Sequence, residues 1–110
     1  MTTGEIVEQS KEYIKKNIER SLTEIAGAVG YSEYYFSRLF KNETRTSVME
    51  YVKREKLQRA SVEIRSGKKI MDAALKYGWE SHNGFTKAFK KEFGYCPALL
   101  RAMVISMQRL

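Results

Sequence analysis

The chain has 110 residues, with 20 Lys+Arg against 13 Asp+Glu, a formal net charge of +7 and a pI near 9.6. With 43 % apolar and 30 % charged residues it has the composition of one folded domain, or of two very small subdomains, and not of a disordered chain. No apolar run reaches the roughly 18 residues of a membrane helix, the polar start has no leader pattern, and one cysteine (Cys96) with one histidine (His82) excludes an internal disulfide and a zinc finger. No metal, cofactor or membrane partner is therefore expected, and a reducing cytoplasm is the expected compartment.

The charge is uneven. Residues 1–55 hold 9 basic and 9 acidic side chains, whereas residues 56–110 hold 11 basic and 4 acidic, so the second half carries the whole excess. Such a basic stripe fits a polyanion, without choosing between DNA, RNA and anionic lipid, and it also fits a surface that is merely soluble.

The pattern predicts an all-α chain of six to seven helices, with Pro97 as its one proline. A first helix is predicted over Glu5–Ile18, with Ile6, Tyr13, Ile14 and Ile18 on one face. Ser21 and Glu24 form an S-x-x-E capping box ahead of a short helix, Leu22–Val29, which Gly30 stops. Ser32 caps a third helix with Tyr35, Phe36, Leu39 and Phe40 on its apolar face. Ser47 and Glu50 open a long fourth helix that reaches Arg65, about 28 Å at 1.5 Å per residue. Ser66-Gly67 ends it. A short fifth helix covers Ile70–Tyr77, Ser81 caps a sixth over His82–Phe93, and Pro97 opens a seventh.

Helices two and three repeat as helices five and six. Ala26, Gly30 and Tyr31 match Ala74, Gly78 and Trp79 at a spacing of 48, and after one inserted residue Phe36, Arg38, Phe40 and Lys41 match Phe85, Lys87, Phe89 and Lys90 at 49. Each unit is a short helix, a glycine turn and a second helix whose outer face is polar and basic, which is the helix-turn-helix design. Packing alone would be satisfied by two plain helical hairpins, but it does not ask for basic residues at matching exposed positions.

The runs Leu22-Thr23-Glu24-Ile25-Ala26, Val29-Gly30-Tyr31-Ser32, Tyr35-Phe36-Ser37-Arg38-Leu39-Phe40-Lys41, Ala73-Ala74, Tyr77-Gly78-Trp79 and Phe85 through Pro97, with Leu57, Ala60, Ile70 and Arg101, resemble the DNA-binding domain of the AraC/XylS family of bacterial transcription regulators. The resemblance spans Ile6 to Arg101. It departs at Arg45, where a glycine is usual, at Lys56, where an arginine is common, at Gly84, where a larger residue is usual, and at Cys96 in place of Ser or Thr. The Thr44-Arg45-Thr46 turn is therefore expected to differ, and Gly84 to weaken its helix start by up to about 1 kcal/mol relative to alanine.

The resemblance implies two helix-turn-helix subdomains, residues 5–46 and 67–101, joined by a linker helix over 47–66, with 102–110 a tail or the start of a linker. Helices three and six would then enter successive major-groove segments on one side of an asymmetric DNA site, held about one 34 Å duplex turn apart. The duplex would bend to meet both, at a cost of order 1–6 kcal/mol. The base-contact candidates it implies are Glu33, Tyr34, Ser37 and Arg38 on helix three and His82, Asn83, Thr86 and Lys87 on helix six. Arg38 and Lys87 suit guanine, Asn83 suits adenine and Tyr34 suits a thymine methyl. The phosphate candidates are Lys41, Lys68, Lys69, Lys90 and Lys91, together with the free N–H groups at the helix starts.

Structural readings stand beside these. Arg38 and Lys87 can be solvated face charges, Lys68 and Lys69 can serve only solubility, and Tyr31 and Trp79 fit turn packing better than base stacking. Cys96 fits a structural place. No phosphate loop or nucleophile motif marks an enzyme. The expected function is a sequence-specific DNA-binding transcription regulator, with activation through RNA polymerase favoured by family analogy. The alternative is a basic helical module that binds RNA or a protein partner without sequence-specific DNA recognition. The helices use up the chain, so it is expected either to act alone through its abundance or to serve an effector-binding domain attached elsewhere. In the latter case the apolar stretch from Ala98 onward would be a linker helix.

Overall fold

The structure, a computed structural model, describes residues 1–108 and contains seven helices and no strand among them. They are α1 (Thr3–Lys16), α2 (Leu22–Ala28), α3 (Glu33–Thr44), α4 (Val48–Arg65), α5 (Ile70–Lys76), α6 (His82–Phe93) and α7 (Pro97–Gln108). The end of the predicted tail, residues 109 and 110, lies outside the described residues. The chain divides between Glu55 and Lys56 into two compact units.

In the first unit Ile6, Val7 and Ile14 of α1 and Ile25 and Ala26 of α2 pack with Phe36, Leu39 and Phe40 of α3 and with Val48 and Val52 of α4. In the second, Leu57, Ala60 and Ile64 of α4 pack with Ala73, Ala74, Phe85, Phe89 and Leu100. The two phenylalanine pairs match closely. Phe36 and Phe40 lie 5.8 Å apart and Phe85 and Phe89 5.6 Å apart between ring centres, and all four are fully buried. Where Leu39 is buried in the first unit, Ala88 stands in the second, and Phe93 and Tyr95 fill that core by packing on Phe89 at 4.5 and 5.9 Å.

Three predicted details change. α1 begins earlier than expected because the Thr2 hydroxyl accepts the Glu5 N–H at 3.2 Å. It ends before Ile18 because the Asn17 amide folds back to donate to the Tyr13 carbonyl at 3.0 Å. Tyr35, expected on the apolar face of α3, is 53 % exposed and stacks on Tyr31 with ring centres 5.2 Å apart. It sits at the edge of the buried stripe, which Phe36, Leu39 and Phe40 already fill.

The helix stops are hydrogen-bonded alike. Gly30 and Gly78 have φ of 83° and 96°, and this left-handed turn lets Tyr31 N–H reach the Ala26 carbonyl and Trp79 N–H the Ala74 carbonyl, each at 3.0 Å. The Gly30 and Gly78 N–H groups close the companion bonds to Gly27 and Leu75 at 3.1 Å. α3 and α6 also end alike, with the N–H of Arg45 or Gly94 donating at 2.8 Å to the carbonyl of Lys41 or Lys90. Arg45 takes φ 66°, the one positive value of a non-glycine residue among those described, where Gly94 takes 83°. The turn expected to differ at Arg45 therefore keeps the glycine geometry, and the arginine side chain carries the strain.

Glu63 braces the second unit. Lys68 and Lys76 donate to its Oε1 at 3.1 and 2.6 Å, tying α4 to the following turn and to α5. The Lys76 hydrogen bond, followed by those from Tyr77 and Lys68, holds the Glu63 carboxyl down at about 2 against the opposing effect of burial. The Arg101 guanidinium of α7 donates to the Lys68 carbonyl of the same turn.

Two outcomes are expected. Arg45→Gly relieves a left-handed arginine that costs about 1–2 kcal/mol, partly offset by the freer unfolded chain. A net gain of roughly 0.5–1 kcal/mol, a few degrees in melting temperature, is expected, with none for Arg45→Ala. For Glu63 the folded value lies below the usual 4.5, so its contribution is complete above that pH and is lost as pH falls toward about 2. Denaturant titrations should find Glu63→Gln less stable than the parent at pH 7, with the gap closing between pH 4.5 and 2.

Candidate nucleic-acid interface

The buried phenylalanine pairs decide which faces of α3 and α6 are free. With Phe36, Leu39 and Phe40 inward, Glu33, Tyr34, Arg38 and Lys41 are exposed and Ser37 is half-buried at the margin. With Phe85 and Phe89 inward, His82, Asn83, Lys87, Lys90 and Lys91 are exposed and Thr86 is half-buried. Six of the eight base-contact candidates are therefore exposed on the outer sides of two helices that hold equivalent places in their units, and Ser37 and Thr86 lie half-buried beside them.

The helix starts are equivalent as well. Ser32 accepts the N–H of Tyr35 at 3.2 Å, and Ser81 that of Gly84 at 3.0 Å. The inserted residue of the repeat falls between Trp79 and Ser81, so Glu80 lengthens the second turn by one position. Trp79 is half-buried, with its ring edge-on to Phe85 at 5.4 Å, which matches the turn-packing reading.

The two polar faces differ in how they are held. On α3, Arg38 Nη1 donates to the Tyr34 hydroxyl at 3.1 Å, and the guanidinium carbon lies 5.6 Å from the Tyr34 ring centre. The Glu33 carboxylate accepts from the Thr23 hydroxyl of α2 at 2.6 Å, and Glu43 accepts from Thr3 of α1 at 2.6 Å. On α6, Thr86 Oγ1 lies 3.5 Å from His82 Nδ1, while Lys87, Lys90 and Lys91 have no polar partner among the described residues. Among the phosphate candidates, Lys41 and Lys69 are exposed, whereas Lys68 is half-buried with its ammonium on Glu63. The Tyr34–Arg38 pairing goes beyond the separate base-contact roles expected of the two residues, and its i,i+4 spacing on one helix face is the sequence signal for it.

Among the described residues no three His, Cys, Asp or Glu side chains come together as a metal site requires, and no helix is long and apolar enough to cross a membrane.

A family described as a helix-turn-helix domain matches residues 25–103. The transposon Tn10 TetD protein of Escherichia coli is 38 % identical over 92 residues, covering 81 % of this chain and 67 % of that protein. The right origin-binding protein of Escherichia coli K12 is 38 % identical over 82 residues, covering 74 % of this chain but 28 % of its own length. A crystal structure from Chromobacterium violaceum, described as a transcriptional regulator with an AraC-type DNA-binding domain, superposes with a TM-score of 0.84 at 27 % identity, covering 92 % of this chain and 93 % of that one.

The N-terminal turn of α6 yields a stability prediction. A Cβ at Gly84 would stand 3.0 Å from the Ser81 hydroxyl. Glu5, Glu24, Tyr35 and Glu50 all carry a Cβ at the same place in their helices, with cap distances of 3.1–3.2 Å. Ser81 therefore needs to move only slightly, and Gly84→Ala should raise stability by up to about 1 kcal/mol. A lowered melting temperature would show that the Ser81 cap cannot yield.

Proposed function

We propose, because this chain belongs to the AraC-type helix-turn-helix DNA-binding family, that it is a sequence-specific DNA-binding transcription regulator whose α3 and α6 enter successive major-groove segments of one site. The observation that carries this reading is the pair of equivalent helices, each anchored by buried phenylalanines and each free on a polar face. A side chain reads bases only if its helix is fixed from behind, and both helices meet that condition.

The proposed base contacts are Glu33, Tyr34, Ser37 and Arg38 from α3 and His82, Asn83, Thr86 and Lys87 from α6. The two sets differ at every position, so the preferred site is asymmetric. Arg38 presents a guanidinium fork to guanine O6 and N7, Asn83 pairs with adenine N6 and N7, and Lys87 reaches guanine. Lys41, Lys69, Lys90 and Lys91 are assigned to phosphates. Lys68 can join them only by leaving Glu63, so it is ranked last. In this reading residues 5–46 and 67–101 are the two binding subdomains and 47–66 the helix between them.

The reading includes no chemical reaction. It places the protein in the cytoplasm, where chromosomal DNA is reached. Activation would require RNA polymerase as a second partner, and regulation by a small molecule would require an effector-binding domain attached to this one. Both follow from family analogy.

Selection of bound sites from random duplexes tests the proposal, with footprinting expected to show two protected major-groove segments on one side. Arg38→Ala should relax preference at one base position by about 1–3 kcal/mol, whereas Lys91→Ala should weaken all sequences alike and reduce the salt slope by about one. Equal affinity for selected DNA, random DNA and RNA at physiological salt would overturn the proposal in favour of a basic module without sequence recognition.

A further inference from the structure

We infer that Tyr34 acts through its phenol hydroxyl as the positioning residue for Arg38, fixing the direction in which the guanidinium approaches a base. The inference rests on the proposed DNA reading and adds to it a device of the first unit that the second lacks.

The geometry is specific to this pair. Tyr34 precedes Arg38 by one helical turn, and its hydroxyl accepts from Nη1 at 3.1 Å while its ring lies under the guanidinium carbon at 5.6 Å. The hydrogen bond, with the ring within cation–π range of the same group, leaves the guanidinium fewer orientations than a solvated arginine has. A groove of about 520 Å³ beside α3, lined in part by Tyr34, Arg38 and Thr3, would otherwise give the side chain room to swing.

The chemistry of the holder matters as much as its place. A carboxylate would hold the arginine more firmly but would neutralise it and compete with guanine for the same fork. The two carboxylates on α3 are both engaged elsewhere, Glu33 by Thr23 and Glu43 by Thr3. Arg38 makes no ion pair among the described residues, so a neutral oxygen takes one N–H and leaves the charge and the other donors for a base.

The corresponding positions on α6 are Asn83 and Lys87, where no such bond forms among the described residues. The first unit thus carries a reader set before binding, and the second a flexible lysine whose ordering accompanies binding.

The test measures binding of the full chain to its selected duplex and to duplexes changed at single positions, for Tyr34→Phe, Arg38→Ala and the double variant. Tyr34→Phe keeps the ring and removes the hydroxyl. It should reduce discrimination at the base position assigned by Arg38→Ala about three- to tenfold, the net worth of one ordinary solvent-exposed hydrogen bond, with other positions and the melting temperature unchanged. In the Arg38→Ala background the same change should have no effect on discrimination. A Tyr34→Phe effect spread over all positions, or one that persists without Arg38, would overturn the inference, as would no effect at all. If Arg38→Ala itself alters no base preference, the failure belongs to the DNA reading instead.

Discussion

The rest of the molecule depends on two aromatic side chains spaced one helical turn apart. Phe36 with Phe40, and Phe85 with Phe89, are buried completely, and a helix with such a pair has no freedom to rotate about its axis. Fixing that rotation fixes which residues face outward. The glycine turn fixes the other variable, the angle at which the second helix leaves the first, because it is closed in the first unit by the bond from Tyr31 to Ala26 and in the second by that from Trp79 to Ala74. Ala26 and Ala74 serve twice, accepting these bonds and allowing close approach through a side chain of one carbon.

The same design is built twice with different materials, and each difference is compensated nearby. Ile25 in the first core becomes Ala73 in the second, and Leu39 becomes Ala88, while Phe93 and Tyr95 restore the lost volume. The first unit closes α3 with a strained Arg45, the second closes α6 with a relaxed Gly94. The second unit adds polar bracing, since Glu63 gathers Lys68 and Lys76 and Arg101 reaches the same turn. Compensation of this kind lets two outer faces diverge over one conserved way of packing.

Features written in short spacings were legible in the sequence. The serine caps at 21, 32, 47 and 81, the glycine stops and the phenylalanine pairs all lie within five residues of what they act on. Thr2 and Glu5 carry the same cap signature, but the apolar stripe of α1 starts later and so does not point to it. Tyr35 departs from the pattern for a related reason, since periodicity marks a stripe but not its edge, and an aromatic at the edge packs on Tyr31 while remaining exposed. The bonds from Thr23 to Glu33, Thr3 to Glu43 and Lys76 to Glu63 join residues 10, 40 and 13 positions apart. No local pattern encodes them. They decide which charges on the outer faces are already engaged, so the candidate residues could be named from the sequence but not ranked.

That ranking changes the meaning of the charge distribution. The first 55 residues are neutral overall and the remainder carry +7. Under the proposed function, long-range attraction to DNA therefore arises almost wholly in the second unit, whose Lys87, Lys90 and Lys91 are exposed and have no partner among the described residues. The first unit contributes little net field, and within it Arg38 makes no ion pair among the described residues while Glu33 and Glu43 accept from threonines of α2 and α1. Neutrality of a unit and availability of its arginine are compatible because charge is summed over the chain, whereas hydrogen bonds are made one atom at a time. Salt then acts chiefly on the contribution of the second unit, whereas base identity acts on both, through Arg38 in the first and Asn83 and Lys87 in the second. Under the proposed function the basic second unit supplies most of the attraction to any duplex, and sequence preference comes from the unlike side chains of both outer faces, Arg38 held by Tyr34 on one and Asn83 with Lys87 on the other.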